Sequence, residues 1–310
     1  MMKKTPLFLL GGSLLVNLVL IFLFFNSSPL YKEKAQDLPY LSPRIFLERQ
    51  NDILINFVPL RQNLQDYVSG LKNKTGLYFE YLPSGLSIGI NENDPYVLAS
   101  LLKVPLVMGV YRNIADGKLS KNGTFEIKSE NINKEFGSMW KKGVGEKVSV
   151  EDLINATIID SDNTAKSVLF NNLQGPEIEN VFDELDIPKE RSNKEASVTP
   201  KNYSSVLKSL YLSSYLPKKY SNELLDLMTR TKFHDKLPAG VPGYIKVAHK
   251  IGVYIDPENK ELPTYSDCGI IYYPKRPYLL CIMAKGPETE ATQSMATLSK
   301  MVYNYIDKIE

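Results

Sequence analysis

The sequence is poor in the residues that build metal sites. Its 310 residues include only two histidines and two cysteines, and neither type has the spacing of zinc ligands. Neither sign of charge predominates, because 37 basic residues against 35 acidic ones leave a net charge of +2. The chain also lacks a basic stripe with interleaved aromatic residues, the pattern typical of nucleic-acid binding. We therefore expect neither a metal centre nor a nucleic-acid partner.

One long hydrophobic run stands near the N-terminus. Residues 6–25 are almost all apolar and follow Lys3 and Lys4. About 20 apolar residues are enough to cross a bilayer as a helix, and preceding basic residues favour a cytoplasmic N-terminus. A cleaved signal peptide is the alternative, although its apolar region is usually only about 7 to 15 residues long. We predict a membrane anchor or signal segment over 1–25, a stalk over 26–55, and an extracytoplasmic domain over 56–310.

The remaining composition, 43% hydrophobic and 23% charged, is ordinary for a globular domain with a sizeable core. Apolar residues at helical spacing predict helices near both ends of the domain, at 60–71 and 289–309. A helical block at 150–228 separates two groups of predicted strands, at 76–90 and 247–284. Because helices and strands are segregated, we predict an α+β fold: an antiparallel sheet flanked by the N- and C-terminal helices, plus an all-helical lobe.

Ser100 and Lys103 stand three residues apart at the start of an apolar stretch that predicts a helix. Residues at this spacing share one face of a helix, so the lysine amine can approach the serine hydroxyl. A serine alcohol is a weak nucleophile unless a neighbouring base accepts its proton. Desolvation or a nearby cation would lower the pKa of the lysine enough for that role. The pair alone is common by chance, so it needs support from elsewhere in the chain.

Two further motifs follow at long spacing. The sequence Ser-Asp-Asn at 161–163 lies at a break between two predicted helices. Its serine and asparagine could hydrogen-bond a substrate and relay protons, while the aspartate could organise the turn. The sequence Lys-Ile-Gly at 250–252 lies in a predicted strand, where the glycine would let a substrate approach the strand edge. Its lysine could bind a carboxylate and lower the pKa of Lys103.

Together, in this order, the three motifs resemble those of the class A β-lactamase and penicillin-binding serine hydrolase family. The resemblance covers about residues 60 to 309. It implies a β-lactamase/transpeptidase-like fold and an acyl-enzyme mechanism, with no metal or organic cofactor. Carried over by position, Ser100 would be acylated, Lys103 would accept its proton, and Ser161 would help deliver a proton to the leaving nitrogen.

The resemblance also assigns substrate-binding roles. Asn163 would orient Lys103 and the substrate, and Lys250 would hold a substrate carboxylate. The oxyanion hole would consist of two backbone N–H groups, those of the acylated serine and of Val253, which follows Gly252. The family usually has a hydroxyl residue where this chain has Ile251, and the loss of that hydrogen bond puts substrate choice in doubt.

A second departure concerns hydrolysis of the acyl-enzyme. Class A β-lactamases use a glutamate in an omega loop to activate the deacylating water, and the corresponding stretch after Asn163 is shorter here. Glu190 and Glu195 fall in this stretch, but neither has the family's Glu-x-x-x-Asn setting. We therefore expect a class A β-lactamase-like serine hydrolase that β-lactams or D-Ala-D-Ala-like amides acylate at Ser100 and that deacylates slowly.

Other interpretations stay open. The same site could belong to a peptidoglycan DD-peptidase or an esterase, and the fold could serve a catalytically silent envelope-binding or sensory module. The expected partners are a small β-lactam or a peptidoglycan-like peptide, and a membrane through residues 6–25. We predict a structural role for His249, because no acid partner is evident beside it. Cys268 and Cys281 flank a predicted hairpin turn and could form a disulfide or be two small buried hydrophobes.

Overall fold

The computed structural model describes residues 38–41, 55–173, 177–188, 190–192, 195–256 and 262–308. The predicted anchor at 6–25 lies outside these residues, as does most of the predicted stalk. Among the helices that are described, none is both long and apolar enough to cross a bilayer. The described residues from Pro39 onward belong to one compact unit. The domain boundaries at 25 and 55 stay predictions.

Helices and strands alternate irregularly along the described chain. In order they are α1 Val58–Ser69, β1 Lys74–Tyr81, β2 Leu86–Ile90, β3 Tyr96–Val97, α2 Lys103–Ala115, β4 Thr124–Glu126, β5 Lys147–Ser149, α3 Val150–Ile159, α4 Asn163–Asn172, α5 Glu177–Glu184, β6 Glu190–Ser192, β7 Glu195–Val198, α6 Pro200–Leu212, α7 Lys218–Thr229, β8 Val247–Tyr254, β9 Thr264–Ile271, β10 Tyr278–Lys285 and α8 Glu288–Asp307. A short 3-10 turn, Ala99–Leu102, runs directly into α2.

The main sheet has five antiparallel strands in the order β2-β1-β10-β9-β8. Its three C-terminal strands are rich in Val, Ile, Leu and Tyr, the residue types that pack well on a pleated surface. Strand β8 stands last in this order and therefore lies at an edge of the sheet. An edge strand presents backbone groups that a neighbouring element or a ligand can meet.

Three helices of the central block begin at side chains that cap them. Ser149, Asp162 and Thr199 precede α3, α4 and α6 and each accepts a hydrogen bond from the backbone N–H three residues on, at 2.8–3.1 Å. Such caps satisfy backbone donors at the helix start, and losing one typically costs about 1 kcal/mol. Because Asp162 is the cap of α4, the Ser-Asp-Asn motif at 161–163 is held at the start of that helix.

The two faces of the sheet are covered by different parts of the chain. Helices α1 and α8 pack on one face, where Leu60, Leu64, Leu298 and Val302 are buried against Phe79. The other face packs against the central block, and each large apolar side chain buried there or beneath the terminal helices contributes about 1.5–3 kcal/mol. The predicted α+β fold, with both terminal helices on one antiparallel sheet, is confirmed.

The second lobe is not all-helical, which corrects one part of that prediction. Between β2 and β8 the described chain forms two small antiparallel sheets, β4–β5 and β3–β7–β6. Their strands are only two to four residues long. Alternation of apolar and polar residues cannot be recognised over so few positions. Helix α5 lies within the helical block predicted over 150–228.

The two cysteines lie directly opposite each other in the sheet. Cys281 of β10 pairs in register with Cys268 of β9, and a disulfide joins them. The sequence left open whether they were bonded or two buried hydrophobes. Both side chains lie on the same face of the hairpin, so both sulfur atoms lie on the side of the central block.

Candidate active site

Ser100 lies in an unusual turn at the start of α2. Because the turn Ala99–Leu102 runs into α2, the serine is held on the first part of a rigid helix. Ala99 has a φ of 45°, in the left-handed region that non-glycine residues seldom adopt. Ser100 is half-buried, and its hydroxyl oxygen lies 3.0 Å from Nζ of Lys103. The predicted serine–lysine pair is formed.

Lys103 connects Ser100 to the second motif. Its side chain is 1% exposed, and its Nζ donates to the carbonyl oxygen of Ser161 and to Oδ1 of Asn163, both at 2.6 Å. Burial, helped by the positive charges of two neighbouring lysines, lowers the pKa of Lys103 to about 6. At neutral pH the amine is therefore mostly uncharged, and its lone pair can accept the proton of the Ser100 hydroxyl.

The hydroxyl of Ser161 lies between two lysine amines. Its Oγ is 3.1 Å from Nζ of Lys103 and 2.8 Å from Nζ of Lys250. Ser161 is buried and has a φ of 53° at the break between α3 and α4. Asp162 holds this break, because it caps α4 and also accepts the backbone N–H of Met139 at 2.7 Å. The structure thus brings together all three motifs, as the sequence predicted.

Lys250 approaches the other two motifs from edge strand β8. It is 0% exposed, and burial lowers its pKa to about 7, although the charge of Asp267 acts in the opposite direction. A Cβ atom on Gly252 would lie 3.3 Å from Cγ of Leu101, so the glycine lets β8 run close to the turn that carries the nucleophile. Val253 follows on the same strand, and its part in an oxyanion hole stays a prediction.

His249 has an acid partner, which corrects the reason for its predicted structural role. Its Nδ1 lies 2.7 Å from Oδ1 of Asp267, and both side chains are buried. The other carboxylate oxygen of Asp267 accepts the backbone N–H of Leu237 at 3.0 Å. Because side chains alternate along a strand, this pair lies on the face of β8 opposite to Lys250. A Cβ on Gly269 would lie 2.5 Å from that of His249, so the pair also requires a glycine on β9.

The two candidate glutamates lie on short strands rather than inside the motif network. Glu195 begins β7 and its side chain is exposed. Glu190 begins β6, and its side chain lies outside the described part of the structure. Strand β7 does reach the nucleophile turn, because Leu98 donates its backbone N–H to the carbonyl of Ala196 at 2.8 Å. The role of either glutamate as a deacylation base stays untested.

Sequence reasoning missed several residues beside the motifs. Lys166 follows Asn163 by three positions on α4, and its half-buried charge contributes to the low pKa of Lys103. The helical spacing that singled out Ser100 and Lys103 could have found it. The rings of Phe136 and Phe233 lie 6.4 Å apart between their centroids, and no pattern in the sequence indicates this long-range contact.

The arrangement as a whole can carry out acyl transfer. A hydroxyl bonded to a desolvated amine can attack an acyl carbon, and a second hydroxyl between two amines can return the proton to a leaving group. The described residues contain no cluster of His, Cys, Asp and Glu able to hold a metal ion. Fold and site therefore combine an antiparallel sheet and a helical block with the serine–lysine arrangement typical of serine acyl-transfer enzymes.

The chain belongs to the beta-lactamase enzyme family, whose model matches residues 59–306. Beta-lactamase 3 of Bacillus cereus is 26% identical over 240 residues, which cover 70% of this chain and 71% of that protein. Beta-lactamase CARB-4 of Pseudomonas aeruginosa is 28% identical over a shorter stretch of 110 residues, covering 36% of this chain and 35% of that protein.

Solved structures show the same fold. The structure of PBP-A superimposes with a TM-score of 0.74 at 24% identity, covering 81% of this chain and 97% of that one. A mutant of PBP-A has been solved as an acyl-enzyme complex with penicillin G, and it superimposes with a TM-score of 0.73. The suspected family and its fold are confirmed.

Proposed function

We propose that this protein is a class A β-lactamase-like serine hydrolase, acylated at Ser100 by β-lactams or by D-Ala-D-Ala-like amides. The observation that carries the proposal is the 3.0 Å contact between the Ser100 hydroxyl and the buried amine of Lys103. A pKa of about 6 makes that amine a base at neutral pH. The acyl-enzyme formed by the PBP-A mutant with penicillin G supports the same chemistry on this fold.

Acylation would proceed in two steps. The Ser100 oxygen bonds to the acyl carbon while its proton passes to Nζ of Lys103. The carbon–nitrogen bond then breaks, its electron pair stays on the leaving nitrogen, and a proton reaches that nitrogen through the hydroxyl of Ser161. The products are a Ser100 ester and an amine, which is released from a linear amide and stays attached to the acyl group of a β-lactam. A positioned base of this kind contributes about 10² to 10⁴ in rate.

Two backbone N–H groups, of Ser100 and Val253, would stabilise the negative oxygen of the tetrahedral intermediate. Removing one such donor typically costs about 10² to 10³ in rate. Asn163 would hold Lys103 in place through the 2.6 Å hydrogen bond between them. Lys250 would keep the Ser161 hydroxyl directed into the site, since it donates to that oxygen at 2.8 Å.

Deacylation would be slow. Hydrolysis of the Ser100 ester needs a base that holds a water molecule against the acyl carbon, and a base must lie within hydrogen-bond reach of that water. The exposed side chain of Glu195 is a poor candidate, because exposure leaves its position unfixed. The protein would then behave more like a penicillin-binding protein than like an efficient resistance enzyme.

The proposed location is the outer face of the cytoplasmic membrane. Support comes from the sequence, in which an apolar run over 6–25 follows two lysines. The proposed substrates, β-lactams and peptidoglycan-like peptides, are encountered outside the cytoplasm. Fractionation of cells into membrane and soluble parts, followed by protease treatment of intact spheroplasts, tests this. A protease-resistant protein in the soluble fraction would contradict it.

Labelling with a fluorescent penicillin tests the catalytic proposal. We expect a label that survives denaturing electrophoresis, together with slow turnover of nitrocefin. The matched control for a Ser100→Ala variant is Ser209→Ala. It removes a buried serine hydroxyl that lies on α6 and donates to a backbone carbonyl at 2.7 Å. That variant should still be labelled. Absence of label from the unaltered protein, or label lost within seconds alongside rapid nitrocefin turnover, would contradict the proposal.

A further inference from the structure

One end of the main sheet is formed by a single row of paired residues that crosses all five strands. The row runs from β8 to β2 through Val247, Ile271, Tyr278, Tyr81 and Leu86, each paired with the next in register. We name this end of the sheet the junction end. The opposite end of the sheet carries the connection between β8 and β9.

The chain that precedes the domain contacts the junction end twice. The carbonyl oxygen of Tyr40 accepts the hydroxyl of Tyr272 at 2.9 Å, and the two rings lie 5.3 Å apart in an edge-to-face arrangement. Tyr272 directly follows the terminal row. Phe57, directly before α1, packs on Tyr81 with the ring centroids 5.5 Å apart. A membrane anchor over 6–25 would therefore be joined to the domain at this end.

The chain between that apolar run and the junction end is short. The run ends at 25, and about 15 residues lie between it and Tyr40. Even when fully extended they span only about 50 Å, at about 3.3–3.6 Å per residue. A tether of this length raises the effective concentration of the junction end at the bilayer surface, so that weak contacts with lipid would be populated.

Large apolar side chains are exposed at this end. The ring of Tyr244, shortly before β8, is 78% exposed, and Val58, at the start of α1, is 70% exposed. These are the two highest exposed fractions among the large apolar side chains in the described part of the chain. Leu86, in the terminal row itself, is 45% exposed. Exposed apolar groups that share one surface mark a site of contact with a partner or a membrane.

Several tyrosines of the junction end carry a ring and a hydroxyl close to solvent. Tyr244 hydrogen-bonds Tyr303 of α8, and the ring of Tyr303 lies 5.8 Å from that of Tyr273. On the other side of α8, the hydroxyl of Tyr305 donates to a backbone carbonyl just before α1. Tyrosine is enriched where proteins meet the headgroup region of a bilayer, because the ring can enter the apolar layer while the hydroxyl stays hydrated.

Exposed lysines surround these tyrosines. Lys246 precedes β8, Lys275 lies in the turn between β9 and β10, and Lys308 follows α8. The last turn of α8 also contains one acidic residue, Asp307, which accepts the hydroxyl of Tyr273 at 3.0 Å. Lysines at such a surface are attracted to anionic phospholipids over about a Debye length. Charge and apolar exposure therefore favour the same partner.

We propose that the junction end is a membrane-contacting surface, at which exposed apolar side chains enter the headgroup region and the neighbouring lysines bind anionic phospholipid. The inference rests on the proposed location at the cytoplasmic membrane and does not depend on acylation of Ser100. Lys250 lies three residues from Val247, or about 10 Å along β8. Contact through the junction end would therefore hold the candidate active site near the bilayer surface.

Quenching by brominated lipid tests the proposed contact. The full chain is reconstituted into vesicles of brominated phosphatidylcholine and phosphatidylglycerol, and the emission of the single native tryptophan, Trp140, is measured in the unaltered protein and subtracted. Tyr244→Trp places a reporter at the junction end. The matched control is Ile255→Trp, which changes a 54% exposed side chain beyond the other end of β8. We expect the added tryptophan to be quenched about threefold more strongly at 244 than at 255, because interfacial rings lie at the headgroup level.

Charge reversal tests the role of the lysines. Lys275→Glu combined with Lys308→Glu should reduce the quenching at 244 by about half. Val58→Trp serves as the reporter if the Tyr244 variant does not fold. Equal quenching at the two ends, in protein that floats with the vesicles, would overturn the inference and leave the proposed location intact. Equal quenching together with a larger particle in detergent would indicate a protein partner for this surface instead. Protein that does not float with the vesicles would overturn both the inference and the proposed location.

Discussion

The two sides of the candidate site differ sharply in how their side chains are held. On the acylation side, Ser100, Lys103, Ser161, Asn163 and Lys250 form one connected set of hydrogen bonds between 2.6 and 3.1 Å. The two lysines of this set are almost completely buried. On the side where a deacylating water would be activated, the described carboxylate is exposed on a short strand. Among the described residues, the first side has fixed donors and acceptors, and the second has an exposed carboxylate.

Under the proposed function, forming and breaking the acyl-enzyme would depend on separate parts of the chain. The acylation side is assembled by the start of α2, the α3–α4 break and edge strand β8, all packed against the main core. The stretch that the resemblance assigns to deacylation contains β6 and β7, which are only three and four residues long. A protein can therefore keep the first half-reaction and have little of the second.

The largest effect is expected from removing the nucleophile. Ser100→Ala should lower the rate of labelling by fluorescent penicillin by a factor of about 10⁴ or more, because the variant lacks the hydroxyl that is proposed to form the ester. Thermal unfolding should change little, since Ser100 is half-buried and contributes one hydrogen bond. Undiminished labelling of this variant would show that another residue is the nucleophile. The comparison between the two sides would then no longer hold.

Replacement of the base should have the next largest effect. Lys103→Met should slow acylation by about 10³, because the buried amine is lost while the volume is kept. In the unaltered protein the rate should rise with pH through about 6, as the folded-state amine loses its proton, and should be about tenfold lower at pH 5 than at pH 7. The variant should show no such rise. A pH profile shared by both proteins would assign the titration to another group.

The buried pair of His249 and Asp267 should contribute to the free energy of unfolding. Asp267→Ala leaves His249 and the backbone N–H of Leu237 without their buried acceptor, and should lower the free energy of unfolding by about 2–4 kcal/mol. Urea denaturation measures this. Asp152→Ala, at an exposed position in the first turn of α3, is the control and should cost about 0.5 kcal/mol or less. Equal stability of the two variants would show that the buried pair does not secure β8.

The smallest effect is expected on the deacylation side. Glu195→Gln should leave the lifetime of the acyl-enzyme within about twofold of the unaltered protein, because an exposed carboxylate does not position water. The lifetime is followed by loss of the mass adduct after excess penicillin is removed. A tenfold longer lifetime in this variant would identify Glu195 as the deacylation base. Both sides of the site would then contain a group with a catalytic role.

Much of this comparison could be predicted from sequence because its parts are local. The spacing of Ser100 and Lys103 places them on one helix face, and Asp162 marks a helix start by the ordinary rule for caps. The strands of the main sheet were long enough for the apolar pattern of a strand to be recognised in the sequence. The joint spacing of three motifs then identified the family, and the structure brings those motifs together.

The rest depends on contacts between residues far apart in the chain. Asp267 was not recognised as the partner of His249, because the pairing of β8 with β9 sets that contact and the sequence does not specify the register. Phe136 and Phe233 meet through the packing of two loops on the α3–α4 break. The strands of the small sheets are too short for any periodicity. These features follow from tertiary structure alone.

The most direct test of the account is a time course of intact mass on residues 27–310 after exposure to saturating benzylpenicillin. The account predicts one penicilloyl adduct per chain, located on Ser100 by peptide mapping, that forms much faster than it disappears once free penicillin is removed. No adduct while Ser100, Lys103 and Lys250 are all present, or an adduct that is hydrolysed as fast as it forms, would contradict it.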